Sequence, residues 1–123
     1  MAQEIELRCS NYEETEVVIS GAAVEKGDFA IYNNVCGFYL QDGAIGDTVI
    51  LITKAENVLI TKEAPLAINA GDAVYFDTSA RNCDKTDTNH LCGYCRRAAA
   101  SADVIVSVNF DGHAYFEQYT APA

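Results

Sequence analysis

The sequence is poor in several kinds of residue, and each scarcity excludes a class of protein. Two prolines and a charged fraction of 21% argue against a disordered chain. Apolar runs stay well short of the roughly 18 residues that a membrane-spanning helix needs. No secretory signal is visible in MAQEIELRCS, so we expect synthesis in the cytoplasm. Because 8 basic residues accompany 18 acidic ones, the net charge is −10, and we expect neither nucleic acid nor a membrane as partner.

Short β-branched and aromatic runs, separated by Gly, Asn and Asp, make up much of the chain. Such runs are typical of strands. No segment of 12 residues carries a helical apolar stripe, and the best candidate for a short helix is residues 97–102. The pattern predicts an all-β fold, a small pseudo-duplicated β-barrel or sandwich with at most one short helix. The predicted strands are residues 4–9, 16–20, 29–32, 36–40, 48–53, 58–61, 73–76, 91–96, 104–110 and 114–119.

The chain carries an internal duplication. Residues 24–32 match residues 68–76 at an offset of 44, whereas residues 36–38 and 44–49 match residues 92–94 and 100–105 at an offset of 56. The change of offset predicts an insertion near residues 77–90 of the second copy. Neither copy alone holds much core, so we expect residues 17–123 to form a single β domain, with residues 1–16 as a candidate extended arm.

The five cysteines allow three interpretations. An odd number of cysteines, without an export signal, does not favour a disulfide framework. Cys83, His90, Cys92 and Cys95 have the ligand types of a tetrahedral zinc site, and Cys92 with Cys95 has the spacing of a redox pair. On a regular strand Cys92 and Cys95 would point to opposite faces, unless the chain bends at Gly93. Alternatively, Cys92 and its repeat counterpart Cys36 are small core residues.

Catalytic motifs are not evident in the sequence. It contains neither a phosphate-binding G-x-x-x-x-G-K-[ST] loop nor a G-x-G-x-x-G fingerprint, so we do not expect an enzyme. We expect no cofactor; the alternative is a small zinc- or ligand-binding β-module that uses Cys83, His90, Cys92 and Cys95. The acidic run of Glu13, Glu14 and Glu16 predicts a solvated face, or alternatively a contact with a basic patch on a partner.

Six motifs, in their order and spacing, resemble the phage capsid cement, or decoration, proteins, a family also labelled recombinase-like. The resemblance covers roughly residues 16–112. The cysteine cluster, which spans Cys83–Cys95, and the aromatic Tyr115, Phe116 and Tyr119 depart from the family pattern. The motifs are VEKGD (24–28), VCGF (35–38), AIGDTV (44–49), AINAGDAVYF (67–76), GY (93–94) and AASADVIVSV (99–108).

The resemblance implies a structural virion protein that binds the outer surface of the mature capsid and stabilises it. It implies the major capsid protein as partner, a homotrimer, and a location on the capsid exterior. Members of such families often use a terminal arm to add a strand to the shell, and here apolar and charged residues alternate in strand fashion. The same alternation fits an edge strand of the barrel itself. The residues concerned are Glu4, Ile5, Glu6, Leu7 and Arg8.

Overall fold

The computed structural model describes residues 3–113, and over that range the chain forms antiparallel strands and no helix. The strands build one open, curled sheet, which confirms the all-β prediction. Predicted strand 114–119 lies outside the described residues. The strands are β1 (Ile5–Leu7), β2 (Tyr12–Val18), β3 (Phe29–Tyr32), β4 (Val35–Tyr39), β5 (Thr48–Thr61), β6 (Ala73–Asp77), β7 (Asn82–Asp84), β8 (His90–Arg97) and β9 (Ile105–Asp111).

Strand β5 is the centre of the sheet. The sequence predicts two strands here, but the structure has one, because a bulge at residues 56–57 absorbs the polar break without ending the pairing with β9. We call residues 48–55 β5a and residues 56–61 β5b. Strand β5a lies between β2 and β4, whereas most of β5b lies between β1 and β9.

The two copies of the repeat share the same turns and the same strand pairing. In each of four turns, an aspartate Oδ2 accepts the backbone N–H of the residue three positions earlier, at 2.9 Å. The four are Asp28, Asp47, Asp72 and Asp103. The bridge between Val24 and Gly43 recurs between Ile68 and Ala99, at the offsets that the sequence shows. Strands β2, β3, β4 and β5a therefore correspond to β5b, β6, β8 and β9.

The best candidate for a short helix, residues 97–102, is not helical. Strand β8 continues through Arg97, Ala99 bridges to Ile68, and Asp103 closes the next turn by accepting the N–H of Ala100. The alanines favour helix locally, but the segment has too few residues between two sheet contacts for a stable helix. Strand β7, within the predicted insertion, is an additional strand that the sequence pattern did not predict.

Two apolar clusters cover opposite faces of β5a. The larger cluster contains Ile52 and four phenylalanines, among which Phe38 packs edge-on against Phe110 with ring centroids 5.2 Å apart. The smaller cluster contains Val49 and Leu51, which alternate with Ile52 along the strand. The uninterrupted apolar run of β5a is therefore buried on both faces, as is typical of a strand in the middle of a core.

An ion pair joins the two ends of the open sheet. Glu4 Oε1 accepts the backbone N–H of Phe29 in β3 at 2.8 Å, and both Glu4 oxygens accept Arg81 at 2.8 Å. Arg81, in the turn before β7, also donates to the carbonyl of Phe29 at 2.9 Å. Beneath it the Phe29 and Phe76 rings stack with centroids 4.1 Å apart. The Glu4 carboxylate raises the pKa of Arg81, chiefly through this hydrogen bonding.

Removing Arg81 is expected to weaken the link between the two ends of the sheet. Arg81→Ala eliminates three charge-assisted hydrogen bonds, and since Arg81 is partly exposed we expect a loss of about 1–2 kcal/mol in the free energy of unfolding. Urea denaturation measures the difference. The control is Arg8→Ala, which breaks the exposed Glu6–Arg8 pair and is expected to change the free energy by less than about 0.5 kcal/mol. An equal decrease in the free energy of unfolding in both variants would show that the Arg81 contacts do not hold the two ends of the sheet together.

Candidate functional site

The segment predicted to contact the capsid is part of the domain's own sheet. Ile5 pairs with Ile60 and is completely buried, and Leu7 pairs with Val58. These side chains therefore contribute to the core, which is the edge-strand alternative of the sequence analysis. Glu4 is held by Arg81, so of the five predicted residues only Glu6 and Arg8 have exposed side chains.

Glu6 and Arg8 are ion-paired to each other at 2.8 Å. Each side chain is about half exposed, with relative areas of 49% and 53%. An exposed pair of this kind contributes little to the stability of the domain, and both side chains remain accessible from solvent. They are the part of the predicted contact segment that a partner could reach without unfolding β1.

A bulge in β8 places the cysteines of this strand in the core. Val74 pairs with Gly93 but Tyr75 pairs with Leu91, so Cys92 is an extra residue in β8. Gly93 supports this geometry with a φ of 149° and leaves no room for a side chain, because an added Cβ would lie 2.1 Å from the carbonyl oxygen of Asn109. The bulge brings Cys92 and Cys95 to the same, buried side, which a regular strand does not allow.

The four predicted zinc ligands are not arranged as a metal site. Within residues 3–113, no three His, Cys, Asp or Glu side chains converge so as to hold an ion. Cys92 donates to the carbonyl of Val74 at 3.4 Å, and Cys95 donates to that of Arg97 at 3.0 Å. His90 lies edge-on to the Phe29 ring, with centroids 6.2 Å apart.

Burial keeps these thiols protonated. It raises the pKa of Cys83 to about 12, and raises that of Cys92 well above the ordinary value. The pKa of Cys95 also rises through burial, and that of His90 falls for the same reason. Because the thiolate is the nucleophile and the metal ligand, a thiol held in its neutral form is poorly suited to redox or zinc chemistry.

We expect a single reactive thiol in the native protein. With a thiol reagent at pH 8, Cys9 should react rapidly because it is only partly buried, whereas Cys36, Cys83, Cys92 and Cys95 should react only after denaturant is added. The reacted thiols can be counted by absorbance, and the Cys9→Ser variant should lose the rapid phase. A rapid thiol in that variant would contradict the burial argument. Stoichiometric zinc in purified protein, lost in Cys95→Ser, would support the metal hypothesis instead.

A shallow apolar groove lies on the outer face of the first repeat. Its volume is about 430 Å³, and its floor includes Val17, Tyr32 and Leu51. The hydroxyl groups of Tyr32 and Tyr39 share a hydrogen bond of 2.8 Å beside it. The smaller apolar cluster lies beneath, so the groove is a partly uncovered extension of that cluster. The remaining lining residues are Glu13, Glu14, Thr15, Val35, Thr53 and His113.

An acidic strand edge borders this groove. Among the described residues β2 pairs only with β5, so its outer backbone edge is open. Glu13, Glu14 and Glu16 are exposed on this strand, and none of them belongs to an ion pair within residues 3–113. Apolar surface, unpaired backbone groups and negative charge therefore meet in one place, a combination typical of surfaces that bind other polypeptides.

A comparison with known protein families shows which family the chain belongs to. A family model described as phage cement protein matches residues 10–110. The chain belongs to the phage cement protein family. This confirms the resemblance seen in the motifs. No curated protein and no solved structure matches the chain. The matched range begins before β2 and ends in β9, so it contains both copies of the repeat, the bulged β8 and the acidic edge, whereas β1 lies outside it.

Membership of the family makes the protein a structural component of a phage capsid. A cement protein acts by contact with the shell, so its functional residues are expected on its surface rather than in a catalytic cleft. No helix among residues 3–113 is long and apolar enough to cross a membrane.

Proposed function

We propose that this cement protein binds the outer surface of the mature capsid and stabilises the shell. The family match carries the proposal. The surface supports it, because within residues 3–113 an open strand edge and an apolar groove provide a contact site on the sheet. The net charge of −10 suits a protein displayed at high density, since like charges limit association between neighbouring virions.

Stabilisation follows from preferential binding. A protein that binds the expanded shell but not its dissociated subunits favours the intact shell by mass action. At a free concentration a hundredfold above Kd, each occupied site contributes about 2.7 kcal/mol. Because the shell repeats its binding sites by symmetry, many such contributions act together against the pressure of the DNA inside the shell.

The proposed partner is the major capsid protein, and the proposed assembly is a homotrimer on the capsid exterior, after synthesis in the host cytoplasm. A cyclic trimer matches the threefold and quasi-threefold positions where capsomers meet, so that each protomer makes the same contact with the shell.

Co-sedimentation with heads tests the proposal. Purified protein is mixed with expanded heads of the source phage that lack it, and bound mass is measured against added protein. We expect saturation at a fixed number of copies per head and greater resistance of the heads to heat. Unexpanded heads are the control and should bind less. Failure to bind either form would exclude the capsid-binding role.

A further inference from the structure

Comparison of the two copies shows that, within residues 3–113, β2 lacks a neighbouring strand that its counterpart has. In the second copy, β5b occupies the place of β2, and its outer edge is paired with β1. In the first copy, the outer edge of β2 has no partner among the described residues. The two copies therefore differ in this respect: β1 lies beside β5b, whereas no strand of residues 3–113 lies at the corresponding position beside β2.

The registers of the two copies coincide, so the empty position can be defined residue by residue. Glu14 pairs with Ile52 as Val58 pairs with Val108, and Glu16 pairs with Ile50 as Ile60 pairs with Val106. Since β1 lies antiparallel to β5b opposite Val58–Ile60, the corresponding strand would lie antiparallel to β2 opposite Glu14, Thr15 and Glu16.

The chemistry of such a strand follows from the two faces of β2. Residues opposite each other in an antiparallel pair project to the same face. Residues facing Glu14 and Glu16 would lie beside exposed carboxylates that have no ion-pair partner within residues 3–113. The residue between them, opposite Thr15, would project toward the side of Leu51 and the apolar groove. A basic–apolar–basic segment matches this surface.

Charge also excludes the simplest alternative occupant. Pairing of β2 with β2 of a second copy would bring the carboxylates of Glu13, Glu14 and Glu16 against their own equivalents. Like charges across a strand pair are destabilising, and charged edges of this kind prevent self-association. Residues 114–123 of this chain contain no Lys or Arg, so a basic occupant is a segment of a different protein.

We propose that β2 binds an extended basic segment of the capsid shell as an additional antiparallel strand, with its apolar residue in the groove lined by Val17, Tyr32 and Leu51. This inference rests on the proposed capsid binding and specifies its contact. Backbone hydrogen bonds along β2 would hold the segment, while the carboxylates and the groove would select its sequence.

Charge reversal tests the side-chain part of the proposal. The variant Glu13→Lys/Glu14→Lys/Glu16→Lys is compared with Glu25→Lys/Glu63→Lys/Asp87→Lys, which changes net charge equally at exposed positions on other elements. Both are titrated onto expanded heads lacking the protein. We expect the β2 variant to bind at least about tenfold more weakly than the control variant, because the two favourable charge pairs, with Glu14 and Glu16, become repulsive. Urea denaturation of both free proteins shows whether each is folded.

Hydrogen exchange tests the backbone part. The exchange of amides in residues 12–18 is measured by mass spectrometry for the free protein and for the protein bound to heads. Amides that point to β5 are hydrogen-bonded in both states, whereas strand addition should slow the amides that point away from β5 only in the bound state. Slow exchange of these outward-pointing amides already in the free protein would mean that this chain or a second copy fills the edge, and would overturn the proposal. Unchanged exchange on binding would overturn it as well.

The outcomes separate this inference from the proposed function. If the wild-type protein does not bind heads, the capsid-binding role and the β2 contact both fail. If the wild-type protein binds, and the two variants bind alike, the capsid-binding role stands while the β2 contact is wrong. For the case in which the β2 variant is unfolded, Thr15→Lys supplies the second test, because it puts a charge against the apolar residue of the incoming strand. Wild-type affinity of Thr15→Lys would overturn the proposal.

Discussion

The whole sheet depends on one strand that belongs to both copies of the repeat. Strand β5 ends the first copy and begins the second without a linker, and four other strands pair with it directly. Because β5a is buried on both faces, it cannot shift by one residue without moving Ile52 and Leu51 into the wrong clusters. The register of β5 therefore sets the register of both copies.

Duplication alone does not join the two ends of this open sheet. The link between the ends uses residues that have no counterparts in the other copy. Glu4 precedes the first strand, and Arg81 lies in the turn before the inserted β7. The asymmetric additions, β1 with Glu4 and the insertion with Arg81, thus convert two similar halves into one domain.

The same asymmetry connects the fold to the proposed capsid binding. Strand β1 covers the edge of β5b, and no equivalent strand covers β2 within residues 3–113. The residues that differ between the equivalent strands follow this difference: β5b has Val58 and Ile60 in the core, where β2 has the exposed Glu14 and Glu16. The edge of the second copy is therefore covered, whereas within residues 3–113 the first copy has an open edge beside a groove. This division keeps the proposed contact surface apart from the strand pairing that stabilises the domain.

The sequence by itself determined the fold class, the duplication and the family, because each depends on local patterns: alternating apolar residues, Asp turns at fixed offsets, and motifs in order. The acidic run on β2 was also visible as a solvated face or a partner contact. Only the tertiary structure decided that residues 48–61 form one strand, that Ile5 is core, and that Glu4 pairs with Arg81 across 77 positions. It also decided that a bulge buries Cys92 and Cys95 together. These features depend on which strands become neighbours, and strand pairing is set by the packing of distant residues, which no local pattern in the chain encodes.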